Sequence, residues 1–273
     1  MSKFKIKEKI DQIEYGIFNA LSDAIFNLRL RDRDVLKGNE KYRNIHNGER
    51  CFIFGTGPSI NRIHPSHIEC LSKERIFAVN SFYKASSLSS LVPDYYGLID
   101  NNYWGVASYT FKEIFEKYCE QPPVFITDVR ALPYLRFSGD VRSVPLYTKN
   151  YPVNTMRYDL KGNLSITMNV VSSCIQAAIF MGFKEIYLLG CDYNLFCSQT
   201  SSHCYDDSDE RNELPSYNLA FYLKYYHLTT EFHYLLSQLA KKLGVKIINL
   251  TDGSLLDAYE RKKLTEILEV AKV

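Results

Sequence analysis

The sequence predicts an α/β fold built on a mostly parallel sheet with helices on both faces. Three observations carry that expectation. From residue 51 onward, short apolar runs recur at Cys51–Phe54, Ile76–Asn80, Tyr95–Ile99, Val124–Thr127, Ser143–Leu146, Glu185–Leu189 and Lys246–Leu250. Helical stretches at 107–118, 168–181 and 217–243 lie between them, and apolar strands alternating with helices belong to a parallel sheet buried on both faces. The first run then breaks at Gly55-Thr56-Gly57-Pro58-Ser59, a strand-to-helix turn of the kind that begins such a sheet.

Taken in order, residues 3 to 30 predict one amphipathic helix. Ile6, Ile10, Ile13, Ile17, Leu21 and Leu28 recur at three-, four- and seven-residue steps, behind Lys3, Lys5, Lys7 and Lys9. Such a helix suits an anionic membrane surface, the main domain or a second subunit. Residues 31 to 50 are polar and charged and read as a connector. The expected organisation is therefore an N-terminal helix and connector over 1–50 and a single α/β domain over 51–273.

Composition narrows the function. A chain of 273 residues buries roughly three-quarters of its unfolded surface, and 46% hydrophobic with 23% charged residues is the balance of a globular protein. A net charge of +2 gives no electrostatic case for nucleic acid. No apolar run approaches the ~18 residues of a membrane span and no signal-peptide pattern opens the sequence. Seven scattered cysteines without a CxxC pair favour reduced thiols. The expected location is the cytoplasm, or the periphery of a membrane's inner face.

Ligands of open parallel sheets sit beyond the carboxyl ends of the strands, so polar residues just after strands are the first candidates. They are Gly55–Ser59, Asn80, Asp100 and the Gly190-Cys191-Asp192 element. In the turn, two glycines allow close backbone approach, Pro58 suits a first helical turn and Ser59 can cap it. Together they predict an anion site for a phosphate, or else an ordinary tight turn. Of six histidines, His227 and His233 share the last long helix. Their spacing of six is not that of two ligands to one metal, but either can serve as a general base. The polar segment 191–210 is long enough to be functional; its Cys and His spacings match no common zinc pattern. The pairs Asp32/Asp34 and Asp207/Asp209 follow no strand directly and read as solvated charge.

FIFGTGPSI, AVNSFY and MGFKEIYLLGCDY resemble the bacterial sialyltransferases of glycosyltransferase family 42 and the wider set of MptE-like proteins, over about residues 55 to 259. The resemblance implies a Rossmann-like, GT-A-variant-like sheet and a CMP-activated sugar as donor. It implies donor contacts from Gly55, Thr56, Gly57, Pro58, Ser59 and Asn80, with Asp100, Asn169 and Asp192 beside them. Gly253-Ser254-Leu255-Leu256 resembles a family asparagine-serine-leucine-leucine run, and counting back from it without a gap puts the family's catalytic histidine at His227. Tyr205, with His203 as helper, stands nearest to the family tyrosines that bind the leaving phosphate. The implied activity is inverting, metal-independent transfer of a sialic-acid-like sugar to a surface glycan or glycolipid, with no cofactor required and a homo-oligomer as one form of the protein. The MptE-like side implies a Mg²⁺- and ATP-dependent pyrophosphokinase instead, and a noncatalytic nucleotide-binding protein of glycan assembly is the third reading.

Overall fold

The computed structural model describes residues 2–149, 153–165, 169–197, 203–208 and 217–270. Among the described residues nine strands form one sheet, every neighbouring pair of it parallel. They are β1 (Arg50–Phe54), β2 (Arg75–Val79), β3 (Tyr95–Leu98), β4 (Val124–Asp128), β5 (Ser143–Lys149), β6 (Asn163–Ser165), β7 (Glu185–Leu189), β8 (Lys246–Asn249) and β9 (Glu260–Arg261). The helices among the described residues are α1 (Lys3–Leu28), α2 (Leu30–Lys37), α3 (Pro65–Leu71), α4 (Thr110–Lys117), α5 (Val170–Met181), α6 (Leu219–Lys242) and α7 (Leu264–Val270), with 3-10 turns between them. All seven sequence-predicted strands are present. The three-residue β6 and two-residue β9 are additional, and are too short to leave an apolar run.

The spatial order is β6-β5-β4-β3-β2-β1-β7-β8-β9. The chain runs outward from β1 to β6, then returns to lay β7 on the other side of β1, with Phe54 opposite Leu189. The β1/β7 boundary is thus the topological switch point, where a crevice opens at the carboxyl end of the sheet. β1 shows why both faces are covered. Cys51 and Ile53 pack with α5 and α6, while Phe52 and Phe54 pack with α3, α4 and α7. α5 is buried along its length except at Val171, which matches its apolar sequence, and it ends at Gly182 in the left-handed conformation, φ 97°.

The 31–50 stretch, expected as a connector, is instead docked structure. α2 buries Leu36, and the following 3-10 turn buries Asn39 and Tyr42. The Asn39 amide donates to the carbonyls of Pro145 (2.7 Å) and Leu160 (2.9 Å). α1 docks through its second half, where Arg157 donates to both carboxylate oxygens of Asp23 at 2.8 and 2.7 Å and Phe26 packs on Tyr147. Among the described residues no helix is long and apolar enough to cross a membrane.

Candidate functional site

A cavity of about 160 Å³ opens at the switch point. Its floor is the Gly55-Thr56-Gly57 turn after β1 and the Gly190–Leu195 loop after β7. Its walls are Asn80 after β2, Asn169 and the first turn of α5, the α6 residues Tyr225, Tyr226 and His233, and Leu256 from the loop after β8. His203 lines it from the polar segment. The cavity therefore gathers Gly55, Thr56, Gly57, Asn80 and Asp192 from the strand-end candidates, and Asn169 and His203 from those that the resemblance implied.

The glycines are required, for a reason other than ligand approach. Gly57 N–H donates to the Gly190 carbonyl at 2.9 Å and Gly55 N–H to the Leu189 carbonyl at 2.8 Å. A Cβ on Gly55 would run into the Gly190 carbonyl, and one on Gly57 into the Asp192 carboxylate. What approaches closely is the β7 loop. Asp192 also takes the donors expected for a phosphate. Ser59 donates to it from the backbone N–H at 3.1 Å and from the hydroxyl at 2.6 Å. Ser59 is accordingly buried, Pro58–Arg62 is a five-residue 3-10 turn rather than an α-helix, and Pro58 lines a neighbouring cleft. The anion-binding helix start foreseen at Pro58-Ser59 is corrected on these grounds: the chain's own carboxylate fills it.

The helix start that does face the cavity is that of α5. Asn169 caps it, its side chain accepting from Ser172 N–H at 3.3 Å, and Val170 and Val171 line the cavity. A twelve-residue helix directs a partial positive charge to that end. Asn80 sits opposite with φ 47°, its carbonyl held by the Tyr96 hydroxyl at 2.8 Å. Its buried side-chain oxygen has no hydrogen-bond partner among the described residues.

The two histidines of α6 are placed differently from that expectation. His227 stands with its side chain 63% exposed, 3.7 Å from Glu231 on the outside of α6, and does not line the cavity. Six helical residues turn through about 240°, so the two histidines cannot share a face. His233 belongs to the buried face of α6 with Thr229, Phe232 and Leu236. It is 1% exposed, its Nδ1 lies 2.8 Å from the Tyr259 hydroxyl, and its Nε2 is buried with no partner among the described residues. Burial pushes its pKa down to about 3, so the ring is neutral. Tyr193 and Tyr259 meet it edge-on, and the Tyr193 hydroxyl donates to Thr229.

His203 and Tyr205 are stacked, with ring centroids 5.1 Å apart. Cys204 between them donates its N–H to the Thr56 carbonyl at 2.8 Å and accepts from the Asn61 amide at 3.1 Å. His203 Nδ1 donates to Asp207 at 2.7 Å; Asp207 is buried, not the solvated charge expected of it. Tyr205 lines the neighbouring cleft rather than the cavity, a second correction, so only His203 of this pair borders the site. Asp100 does not line it either. Burial pushes its carboxyl up to about 6; the Tyr225 hydroxyl on the cavity wall is held well above its ordinary pKa by burial first, with Tyr193 and Asp100 adding to it. Tyr193, Tyr225, Tyr226 and His233 complete a wall that the motif count missed. The signal was available as helical spacing, since Tyr226, Thr229 and His233 recur at three and four residues.

The model of the family described as 6-hydroxymethylpterin diphosphokinase MptE-like matches residues 27–195, more than half of the chain and the whole span from α2 to the β7 loop. The chain belongs to that MptE-like family. Comparison with curated proteins gives no match. Solved structures similar to this MptE-like protein include the MAf glycosyltransferase from Magnetospirillum magneticum AMB-1, at 15% identity and TM-score 0.49 over 84% of this chain. The match covers 39% of that protein, so the MptE-like chain spans about two-fifths of its length. Another is the sialyltransferase CstII from Campylobacter jejuni, solved with the substrate analogue cytidine-5'-monophosphate, at 16% identity and TM-score 0.46 over 79% of this chain and 85% of that one.

Proposed function

We propose that this MptE-like chain is a nucleotide-dependent glycosyltransferase. In this reading it moves a sialic-acid-like acidic sugar from a CMP-activated donor to a hydroxyl of a glycan or glycolipid, with inversion and without a metal. The observation that supports the reading is the neutral, buried His233, which borders the switch-point cavity and whose Nε2 has no hydrogen-bond partner among the described residues. A buried polar nitrogen without a partner costs stability, which supports a ligand atom as its partner in this reading.

The acceptor hydroxyl loses its proton to Nε2 as its oxygen attacks the anomeric carbon, and the bond from that carbon to the phosphate oxygen breaks, releasing CMP. Tyr259 holds the ring through Nδ1. A neutral imidazole is the form a general base needs, and the charge of the phosphate alongside raises its proton affinity in the complex. The α5 N-terminus and His203 face the same space and suit the phosphate, a charge-stabilising role. Asn80 Oδ1 suits a hydroxyl or amino donor of the nucleotide. Asp192 and Ser59 hold the floor in place.

The family description favours a second reading, diphosphate transfer from ATP. That chemistry uses Mg²⁺ held by carboxylates and phosphates. Among the described residues the only carboxylate lining the cavity is Asp192, with both oxygens engaged by Ser59, a donor set that fits such an ion poorly. Incubation with a CMP-activated acidic sugar and a glycan acceptor in excess chelator tests the choice. CMP release that depends on the acceptor supports the transferase; turnover of ATP only, restored by Mg²⁺, overturns it.

A further inference from the structure

α1 presents an apolar stripe that the rest of the chain leaves uncovered. Ile6, Ile10, Ile13, Ile17, Leu21, Ile25 and Leu28 stand between 45% and 83% exposed. Their steps of three and four residues are those of a coiled-coil seam, with one four-residue step added after Ile17. The opposite side, through Asn19, Asp23 and Phe26, is docked on the body, so the stripe points away from it. Together with Phe4, the exposed side chains offer an apolar face on the order of 800 Å², what one partner contributes to a stable interface and more than a monomer ordinarily exposes.

We infer that this stripe pairs in parallel with the same stripe of a second copy of the chain. Charge decides the partner and the direction. With Ile10 and Ile17 at the a positions and Ile6 and Ile13 at d, Lys9 falls at g and Glu14 at the following e. That is the pair which meets between parallel helices. A helix bound to an anionic membrane keeps a basic polar face. Here Glu8, Asp11 and Glu14 offset the lysines over the same turns, and Lys7 is already paired with Asp11 at 3.0 Å. The inference stands apart from the proposed reaction, because none of these residues lines the cavity.

Sedimentation of the full chain over a concentration series is the test. Two or more chains per particle are expected for the native sequence, and single chains for Ile10→Asp with Ile17→Asp. Lys9→Glu should weaken association about tenfold, and adding Glu14→Lys should restore it. Circular dichroism confirms the fold, since all these side chains are at the surface. The inference is overturned by a native chain that stays single at its highest soluble concentration, whether or not it floats with anionic vesicles. Assembly unchanged by the two aspartates, or a charge swap that fails to rescue, also overturns it.

Discussion

Ser59 and Asp192, 133 positions apart in sequence, are joined by two hydrogen bonds of 3.1 and 2.6 Å that tie the loop after the first strand to the loop after the seventh. This tie closes the floor of the cavity across the switch point. It also makes the Gly-Thr-Gly-Pro-Ser element a structural joint, with the N–H groups of Gly55, Gly57 and Ser59 and the Ser59 hydroxyl bonded to the β7 strand end and its loop.

Asp192→Ala removes a charged acceptor from two buried donors. Hydrogen bonds to charged groups are worth about 1.5–3 kcal/mol, so unfolding free energy should fall by that amount in urea titration, with nucleotide binding weakened in parallel. An unchanged midpoint would deny the joint its role.

Gly57→Ala should cost about 1–3 kcal/mol by forcing the two loops apart. Gly139→Ala serves as the control, since nothing lies within 4 Å of a Cβ there. Equal melting temperatures for the two variants would contradict the packing account.

The two histidines of α6 should separate cleanly in kinetics. His233→Gln is expected to lower turnover by ~10²–10⁴ while leaving the chain folded. His227→Ala, at an exposed position, should change stability by less than about 0.5 kcal/mol and leave turnover unaltered. The reverse pattern would return the role to His227.

Stability should fall in acid through His233. Its folded pKa of about 3 lies below the ordinary value near 6.5, so the unfolded chain takes up the proton first. The neutral ring's contribution is complete above about pH 6.5 and is lost toward pH 3, at about 1.4 kcal/mol per pH unit. Asp100 acts oppositely: its folded pKa is raised to about 6, so its contribution is complete below about pH 4 and gone above pH 6. His233→Gln should flatten the acid limb of a stability profile, and Asp100→Asn should steepen it.

The sheet was legible because buried parallel strands are runs of apolar residues, and every run of four or more was found. The strand-end residues were legible for the same reason, since topology alone gathers Gly55, Asn80 and Asp192. Three features were not. α2 buries only Leu36 while its other apolar residues, Leu30 and Val35, stay exposed, so its docking left no periodic pattern. The Asp192–Ser59 tie is a long-range pairing that no local motif records, and it inverted the meaning of the glycine turn. His227 was chosen by counting residues from a motif; which histidine borders the cavity is a matter of helical face, and that face puts His233 beside Thr229 and Leu236. Residues 166–168, 198–202 and 209–216, which include parts of the motifs weighed in the sequence, lie outside the described residues.

The most direct measurement of the central claim is thermal stabilisation of the native chain and of His233→Gln by CMP and by ATP with Mg²⁺. At 100 times its dissociation constant a ligand adds about 2.7 kcal/mol, several degrees for a domain of this size. The account predicts a shift with CMP that survives chelator and is reduced in His233→Gln. A shift with ATP and Mg²⁺ alone, equal in both proteins and abolished by chelator, would contradict it.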